Sequence, residues 1–508
     1  MSEVFAGIEA ALSFGSLIAN VTGVSLGILF GAMPGLTAAM GVALLIPLSF
    51  GMPPVEAFSM LLGMYAGAIY GGSITAILVG TPGTVAGHRG APRGTVAAAA
   101  TLLEGPKLTA KGQSRKALEM ATFASFFGGI FSAVALVTCA PLLATAAMSF
   151  GPAEYFALAV FALTVVATLS SGAMCKGLAA AFVGLFLSTV GIDPVSGDFR
   201  NTFDVPELFN GISLVPALVG LFAVSQVLLS LEDVFLGKSG IVKEGKLSNQ
   251  GLTLREIWTN KFNLLRSSLL GTLIGIIPAT GASAATFIAY GEAKRFSKHP
   301  EAFGKGTLEG VVATESSNNG VTGGALIPLM TLGVPGDVLT AILLGALMIQ
   351  GLTPGPLLFQ EHGATVNGIF ASFFVSNILI LVVGLIAVRI LGKVVLVPTA
   401  ILMSIVLTLC AIGSFAANNS TFDIGVMAAF GLLGYLMLKA GFPQPPMLLA
   451  MILGPLAESN FRRALSLSRD DFSTFFTSPI SCAILAVSAC VVLKTFWDEY
   501  RGCKREAV

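Results

Sequence analysis

The amino-acid sequence predicts an all-α polytopic membrane protein made of two inverted-topology repeats, with about twelve transmembrane helices and broken or re-entrant segments among them. Three observations predict it. The 508 residues are 55% hydrophobic and only 11% charged, against about 25% charged in soluble domains, and mean hydropathy is +0.87. Short motifs of the first half return, in order, in the second. Loops rich in Lys and Arg change places between the halves.

Apolar runs occupy residues 13–32, 36–50, 57–72, 121–148, 153–170, 177–191, 213–231, 265–290, 325–350, 366–391, 395–417, 424–440, 444–456 and 477–497. They recur along the whole length, which excludes a single anchor on a soluble domain. Several are shorter than the roughly 20 residues a helix needs to cross a bilayer, so partial crossings are expected beside full ones. No short apolar segment with a basic front and a small-residue cleavage site opens the chain, and no removable signal peptide is expected. Residues 1–231 read as the first repeat, 232–264 as a polar cytoplasmic linker, 265–475 as the second repeat, and 476–508 as a C-terminal helix and tail.

The repeat rests on five matches. "FASFF" occurs at Phe123–Phe127 and at Phe370–Phe374, and "AAF" at Ala180–Phe182 and Ala428–Phe430. "GIDP" at Gly191–Pro194 answers "GFP" at Gly441–Pro443, and "MPGLTAA" around Pro34 answers "IPATGAS" around Pro278. "GGSITAILVGTPG" (Gly71–Gly83) answers "GGALIPLMTLGVPG" (Gly323–Gly336). One such match is weak; five in the same order at nearly constant offset are not chance.

Loop charge orients the copies, because Lys and Arg concentrate on the cytoplasmic side. Residues 87–119 carry Arg89, Arg93, Lys107, Lys111, Arg115 and Lys116, whereas their counterpart, Thr353–Ala364, has no Lys or Arg. The reverse holds for Gly51–Glu56, without a base, and Glu292–Glu309, with Lys294, Arg295, Lys298 and Lys305. Exchange of sides is what an inverted-topology repeat predicts. One region disagrees: Arg462, Arg463 and Arg469 lie where inversion expects the outside. Inverted repeats with helices broken near the midplane are characteristic of secondary transporters, since two such copies give inward and outward states of similar energy.

The candidate site follows from the breaks. Gly23, Gly27, Gly31 and Gly35, then Gly63, Gly67 and Gly71, and in copy two Gly271 and Gly275, recur every fourth residue. That spacing chiefly serves close helix packing. Pro34 and Pro278 each remove a backbone donor and end a helix. "YGGSIT" and "TESSNNGVTGG" (Thr314–Gly324) are expected to break the second segment of each copy. Lipid cannot satisfy non-helical backbone, so such segments are buried in protein or line a wet cavity. Amides at half-helix N-termini suit an anion. The substrate-binding candidates are Gly35, Leu36, Thr37, Gly71, Gly72, Ser73, Thr75 and Thr81 of copy one. Those of copy two are Thr280, Gly281, Ser283, Asn318, Asn319, Thr322, Gly323 and Gly324. No Lys or Arg occurs from Met1 to His88 or from Gly306 to Val388. A bound carboxylate would therefore meet amides and hydroxyls, with a co-bound cation nearby. Glu315, Asn318, Pro335 and Asp337 are the cation-binding candidates; for the two acids the plainer alternative is an interfacial or paired carboxylate.

Other chemistry finds little support. Gly23–Gly27 fits GxSxG, but on a small-residue helix face with no strand before it. Gly87–Gly94 lacks the order of a P-loop. The six cysteines (Cys139, Cys175, Cys410, Cys482, Cys490 and Cys503) show no CxxC spacing and read as buried small hydrophobes. The three histidines are far apart in sequence. Neither enzyme activity, metal nor cofactor is expected. Lys176 reads as a snorkelling base at a helix end.

"GAMPGLTAAMGVALLIP", "YGGSITAILVGTPGT", "ESSNNGVTGGALIPLMTLGVPG" and "LLGALMIQGLTPGPLLF" (Leu343–Phe359) together resemble the large membrane subunit of the tripartite tricarboxylate transporters, over nearly the whole chain. The resemblance implies a secondary transporter of the bacterial inner membrane. It also implies a small membrane subunit of about four helices, and a periplasmic solute-binding protein that delivers an organic acid such as citrate. Coupling to a sodium or proton gradient is the family expectation. Thr75, where a proline is commoner, and the Ser316–Ser317 pair depart from the pattern; they bear on which acid is carried. A carrier for another small solute, a passive channel, an intramembrane enzyme and a scaffolding subunit are the alternatives. Elevator-like movement of a substrate-carrying block fits the two-copy arrangement.

Overall fold

The computed structural model describes residues 2–33, 36–78, 96–168, 174–193, 196–236, 250–278, 281–394 and 399–506. It is almost entirely helical. The first half comprises α1 (Ser2–Ala11), α2 (Phe14–Ala32), α3 (Ala38–Ser49), α4 (Pro54–Leu78), α5 (Gly105–Ala110), α6 (Ser114–Ala147), α7 (Pro152–Thr168) and α8 (Met174–Ser188). A two-residue hairpin follows, β1 (Gly191–Ile192) antiparallel to β2 (Phe199–Arg200). Then come α9 (Leu214–Leu218) and α10 (Ser225–Phe235), joined by a π turn at Val219–Val224. The second half comprises α11 (Leu254–Thr259), α12 (Lys261–Ile276), α13 (Gly281–Phe296), α14 (Leu308–Leu332), α15 (Val338–Ile349), α16 (Pro356–Glu361), α17 (Gly363–Val394), α18 (Thr399–Asn418), α19 (Thr421–Ala440), α20 (Pro445–Leu467), α21 (Thr474–Thr477) and α22 (Pro479–Glu506).

Among the described residues, eight helices are long and apolar enough to cross a membrane: Phe14–Ala32, Pro54–Leu78, Ser114–Ala147, Leu214–Phe235, Gly363–Arg389, Ile401–Asn418, Thr421–Ala440 and Pro479–Trp497. Four apolar helices are shorter, Ala38–Ser49, Pro152–Thr164, Met174–Ser188 and Val338–Ile349. The chain is thus a multi-pass membrane protein.

Proline and capping chemistry explain where several helices end. α2 stops one residue before Met33–Pro34, and α3 restarts behind Thr37, whose Oγ1 accepts from Met40 N at 3.1 Å. α12 stops before Ile277–Pro278, and α13 starts at Gly281 with φ +67°. α14 ends on left-handed Gly333, φ +69°, a conformation glycine adopts without penalty. The run 325–350, read from the sequence as one span, is therefore split between α14 and α15.

Two expected breaks are not breaks. Tyr70–Thr75 lies inside α4 and Thr314–Gly324 inside α14, and each helix is continuous for 25 residues. The hydroxyls do not unwind the helix because they bond back to its own carbonyls. Thr75 Oγ1 donates to Gly72 O (3.1 Å), Ser316 Oγ to Val312 O (2.6 Å), Ser317 Oγ to Ala313 O (2.8 Å) and Thr322 Oγ1 to Asn319 O (2.6 Å). The glycines there admit a neighbouring backbone instead of a turn.

α4 and α14 are the buried centre of the molecule, each with almost every residue shielded. α2 lies along α4, and α12 along α14. A Cβ added to Gly31 would stand 2.3 Å from Ala68 O, and one on Gly71 2.5 Å from Ile28 O. On the other side, Cβ atoms on Gly271 and Gly324 would stand 2.2 Å from Ser317 O and 2.4 Å from Thr272 O. α6 packs on α14, and α17 on α4. The serines of the two "FASFF" copies share this crossing. Ser125 of α6 donates to Glu315 of α14, and Ser372 of α17 bonds Ser59 of α4 at 2.7 Å.

The arginines at the end of α20 face the acidic hairpin segment. Arg462 pairs with Asp193 (3.1 Å) and Glu458 (2.7 Å), and Arg200 with Glu458 (2.8 Å). Lys176 donates to Ala440 O at 2.6 Å and lies over the Phe442 ring. The cysteines depart from expectation: Cys410 is buried, but Cys139, Cys175 and Cys490 are exposed, because helix surfaces that meet lipid tolerate small apolar groups as well as a core does.

Candidate functional site

Residues 315, 318, 319 and 322 recur at helical spacing, so they share one face of α14. That face is polar in the middle of the most buried part of the protein. Glu315, Asn318 and Asn319 are completely shielded, and Thr322 is 1% exposed.

The Glu315 carboxylate is held by hydroxyls. Thr101 Oγ1 donates to its Oε1, and Ser125 Oγ to its Oε2 at 3.2 Å. Thr101 also donates to Thr314 Oγ1 at 3.0 Å. Ser73 of α4 stands beside the carboxylate without reaching hydrogen-bond geometry. Among the described residues no Lys, Arg or His lies within ion-pair distance of Glu315. Such an acid is expensive to bury as a lone charge; the all-oxygen shell suits either a proton on the carboxyl or a hard cation beside it.

One turn along, the amides stand nearly alone. Among the described residues, neither Nδ2 nor Oδ1 of Asn318 has a hydrogen-bond partner, and Asn319 Oδ1 has none. Asn319 Nδ2 reaches Ala66 O only at 3.5 Å. A buried unsatisfied amide costs about 1–3 kcal/mol, and such groups can pair with a polar ligand, an ion or an ordered water. The break at Gly333–Asp337 folds back beside α14. A Cβ on Gly336 would touch Ala325 and stand 3.0 Å from Gly275 O, and Tyr65 OH donates to Asp337 Oδ2 at 2.9 Å. At the start of α13, Ala282 and Ala285 pack on Val321 of α14.

The sequence-derived candidates fall in different places. Glu315, Asn318, Asn319 and Thr322 come together on α14, with Ser73 facing them from α4. Gly71, Gly72, Gly323 and Gly324 serve helix packing: Gly72 is met by Gly31, and Gly323 by Ser132. Thr75 bonds within α4, Leu36 is buried, Thr37 caps α3, and Gly281 and Ser283 open α13. Gly35, Thr81 and Thr280 lie outside the described residues, as do Pro34 and the loop bases Arg89 and Arg93. Glu315 does not flank a break but sits well inside α14. Asp337 does flank one, and its carboxylate caps α15, accepting from Thr340 N at 2.7 Å and from Tyr65. Pro335 lies in the same break, on a backbone buried with Val334 and Gly336.

Sequence reasoning missed Thr101, Ser125 and Tyr65, since Thr101 and Ser125 reach Glu315 across 214 and 190 residues of chain. Only the "FASFF" repeat hinted at Ser125. It also missed buried Glu104, which accepts from Gly306 N (2.6 Å), Thr307 N (2.9 Å), Tyr290 OH (2.6 Å) and Gly304 N. Glu104 thereby ties the chain before α5 to the loop that leads into α14. Among the described residues, no group of three or more His, Cys, Asp or Glu could hold a metal ion.

The Tripartite tricarboxylate transporter TctA family model matches residues 17–449. Two Agrobacterium vitis proteins are similar. An uncharacterized 52.8 kDa protein in the TAR-I ttuC' 3'region is 37% identical over 494 residues, covering 97% of this chain and 96% of that protein. An uncharacterized protein in the TAR-II ttuC' 3'region is 37% identical over 224 residues, covering 44% of this chain and 93% of that protein. No solved structure matches.

Proposed function

Because this chain belongs to the Tripartite tricarboxylate transporter TctA family, we propose that it is the large membrane subunit of a secondary active system importing a citrate-like di- or tricarboxylate. Uptake is driven by a sodium or proton gradient across the bacterial inner membrane. A periplasmic solute-binding protein hands over the acid, and a small four-helix membrane subunit completes the complex. The observation that carries this reading is the polar face of α14: among the described residues, one acid without a basic partner, next to two amides that share a single long hydrogen bond, in a shielded core. Glu315 with Thr101, Ser125 and Ser73 takes the coupling cation or proton, and Asn318, Asn319 and Thr322 take the substrate. A bound anion then meets amide dipoles and hydroxyls, and the cation or proton taken up at Glu315 removes the negative charge that would repel it.

The two halves, 1–231 and 265–475, act as inverted repeats joined by the 232–264 linker, with 476–508 as an added helix and tail. The matched glycine seams α2–α4 and α12–α14 support this, as does the reciprocal packing of α6 on α14 and α17 on α4. About twelve crossings with partial ones, and an elevator-like movement of the central helices, complete the reading.

The test is accumulation. Vesicles holding this chain with its partner subunits and the binding protein are expected to concentrate labelled citrate or succinate above the outside level only while a sodium or proton gradient stands. Equilibration without accumulation would replace the carrier with a passive channel.

A further inference from the structure

We propose that an anion-binding vestibule, centred on Arg463, receives the organic acid before it reaches the α14 face. The proposal rests on the transport reading above. A cavity of about 350 Å³ opens between the end of α14, the 351–362 segment and α20, and is lined by Gly333, Thr353, Glu361, His362, Asn460 and Arg463 among others. Its volume is in the range of small-molecule sites. Its floor is the helix break itself, since Leu332, Gly333 and Val334 line it. α14 is about 37 Å long at 1.5 Å per residue, so the cavity lies at the opposite end from the Glu104 tie and its neighbours Lys107 and Lys111. That is the side whose loop, Thr353–Ala364, has no Lys or Arg.

On such a side three arginines are an anomaly, and the structure divides them. Arg462 is consumed by Asp193 and Glu458. Arg463, its neighbour, has no carboxylate within ion-pair distance among the described residues, and it lines the cavity. A guanidinium in a half-open, largely apolar recess is suited to bidentate capture of a carboxylate. Thr353 adds a hydroxyl and His362 an imidazole. Glu361 is the acid on the same wall, and it opposes an anionic ligand. Cation and ligand then part company: the anion is caught by a base at the mouth, and passes inward to a base-free site where amides receive it.

The experiment is citrate and succinate uptake by the complete system, with initial rates measured over a range of concentrations. Arg463→Gln is expected to raise KM about five- to tenfold with maximal rate within about twofold, and Arg463→Lys to recover most of the loss. Glu361→Gln is expected to lower KM about twofold. Both shifts shrink as salt is added. An unchanged KM in Arg463→Gln, beside a wild type that accumulates the acid, overturns the vestibule alone. A fall in maximal rate with unchanged KM, not rescued by Arg463→Lys, also overturns it, as a structural role. A wild type that accumulates neither acid overturns the transport reading, and the vestibule with it.

Discussion

Gly324→Val is expected to leave little folded protein, and Gly71→Val to do the same from the other half. A Cβ at Gly324 would stand 2.4 Å from Thr272 O, and one at Gly71 2.5 Å from Ile28 O. Both obstacles are backbone on a helix that is itself packed, so neither can yield as a flexible side chain would. The helices must separate along the seam, which loses dispersion contacts over several turns. Overpacking usually costs 1–3 kcal/mol, and here about 3 kcal/mol or more is expected. Gly291→Ala is the control. Among the described residues nothing lies within 4 Å of a Cβ added to Gly291 in α13, so alanine there is expected to stabilise by about 0.5–1 kcal/mol. Thermal melting of the detergent-solubilised protein, followed by size exclusion, reads both. If Gly324→Val melts as wild type does, the seam is not what joins α12 to α14.

The second large effect is expected at Glu315. Glu315→Gln keeps the shape of the side chain and can still accept from Thr101 or Ser125, so the fold survives. It cannot carry a proton in exchange or neutralise a cation. Uptake is expected to fall at least tenfold, the equivalent of about 1.4 kcal/mol, and the residue of uptake to lose its dependence on the cation gradient. Glu315→Asp, a methylene shorter, retains the charge but withdraws it from Thr101 and Ser125, and is expected to keep gradient dependence at a reduced rate. Gradient-driven accumulation at the wild-type level in Glu315→Gln would remove Glu315 from the coupling mechanism.

Much of this was legible in the sequence where a residue acts through its own backbone. Pro34 and Pro278 announce helix ends because proline removes a donor locally, and the four-residue glycine spacing announces helix contact because the period is that of a helix. What misled was polarity. "YGGSIT" and "TESSNNGVTGG" look like interruptions, since glycine and small hydroxyls disfavour a helix in water. Buried against α2 and α12, the same glycines gain close packing, and Ser316, Ser317 and Thr322 bond their own helix carbonyls. Tertiary contact overrode propensity. The shell of Glu315 was invisible for another reason: Thr101 and Ser125 are ordinary residues in sequence, and only the fold brings them to the carboxylate. Arg462 and Arg463 show the same limit. Counting charge along a loop cannot tell a paired arginine from an unpaired one.

The most direct test of the α14 site is the pair Asn318→Leu with Asn319→Leu. Leucine approximates the shape of asparagine and carries no polar atom, and among the described residues these amides make one long bond, Asn319 Nδ2 to Ala66 O at 3.5 Å, so removing them should cost the fold little. The expected result, with partner subunits present and normal expression, is a melting temperature at or above wild type together with loss of citrate and succinate uptake. Uptake at the wild-type rate and affinity would contradict the account, because these amides would then have no ligand to meet.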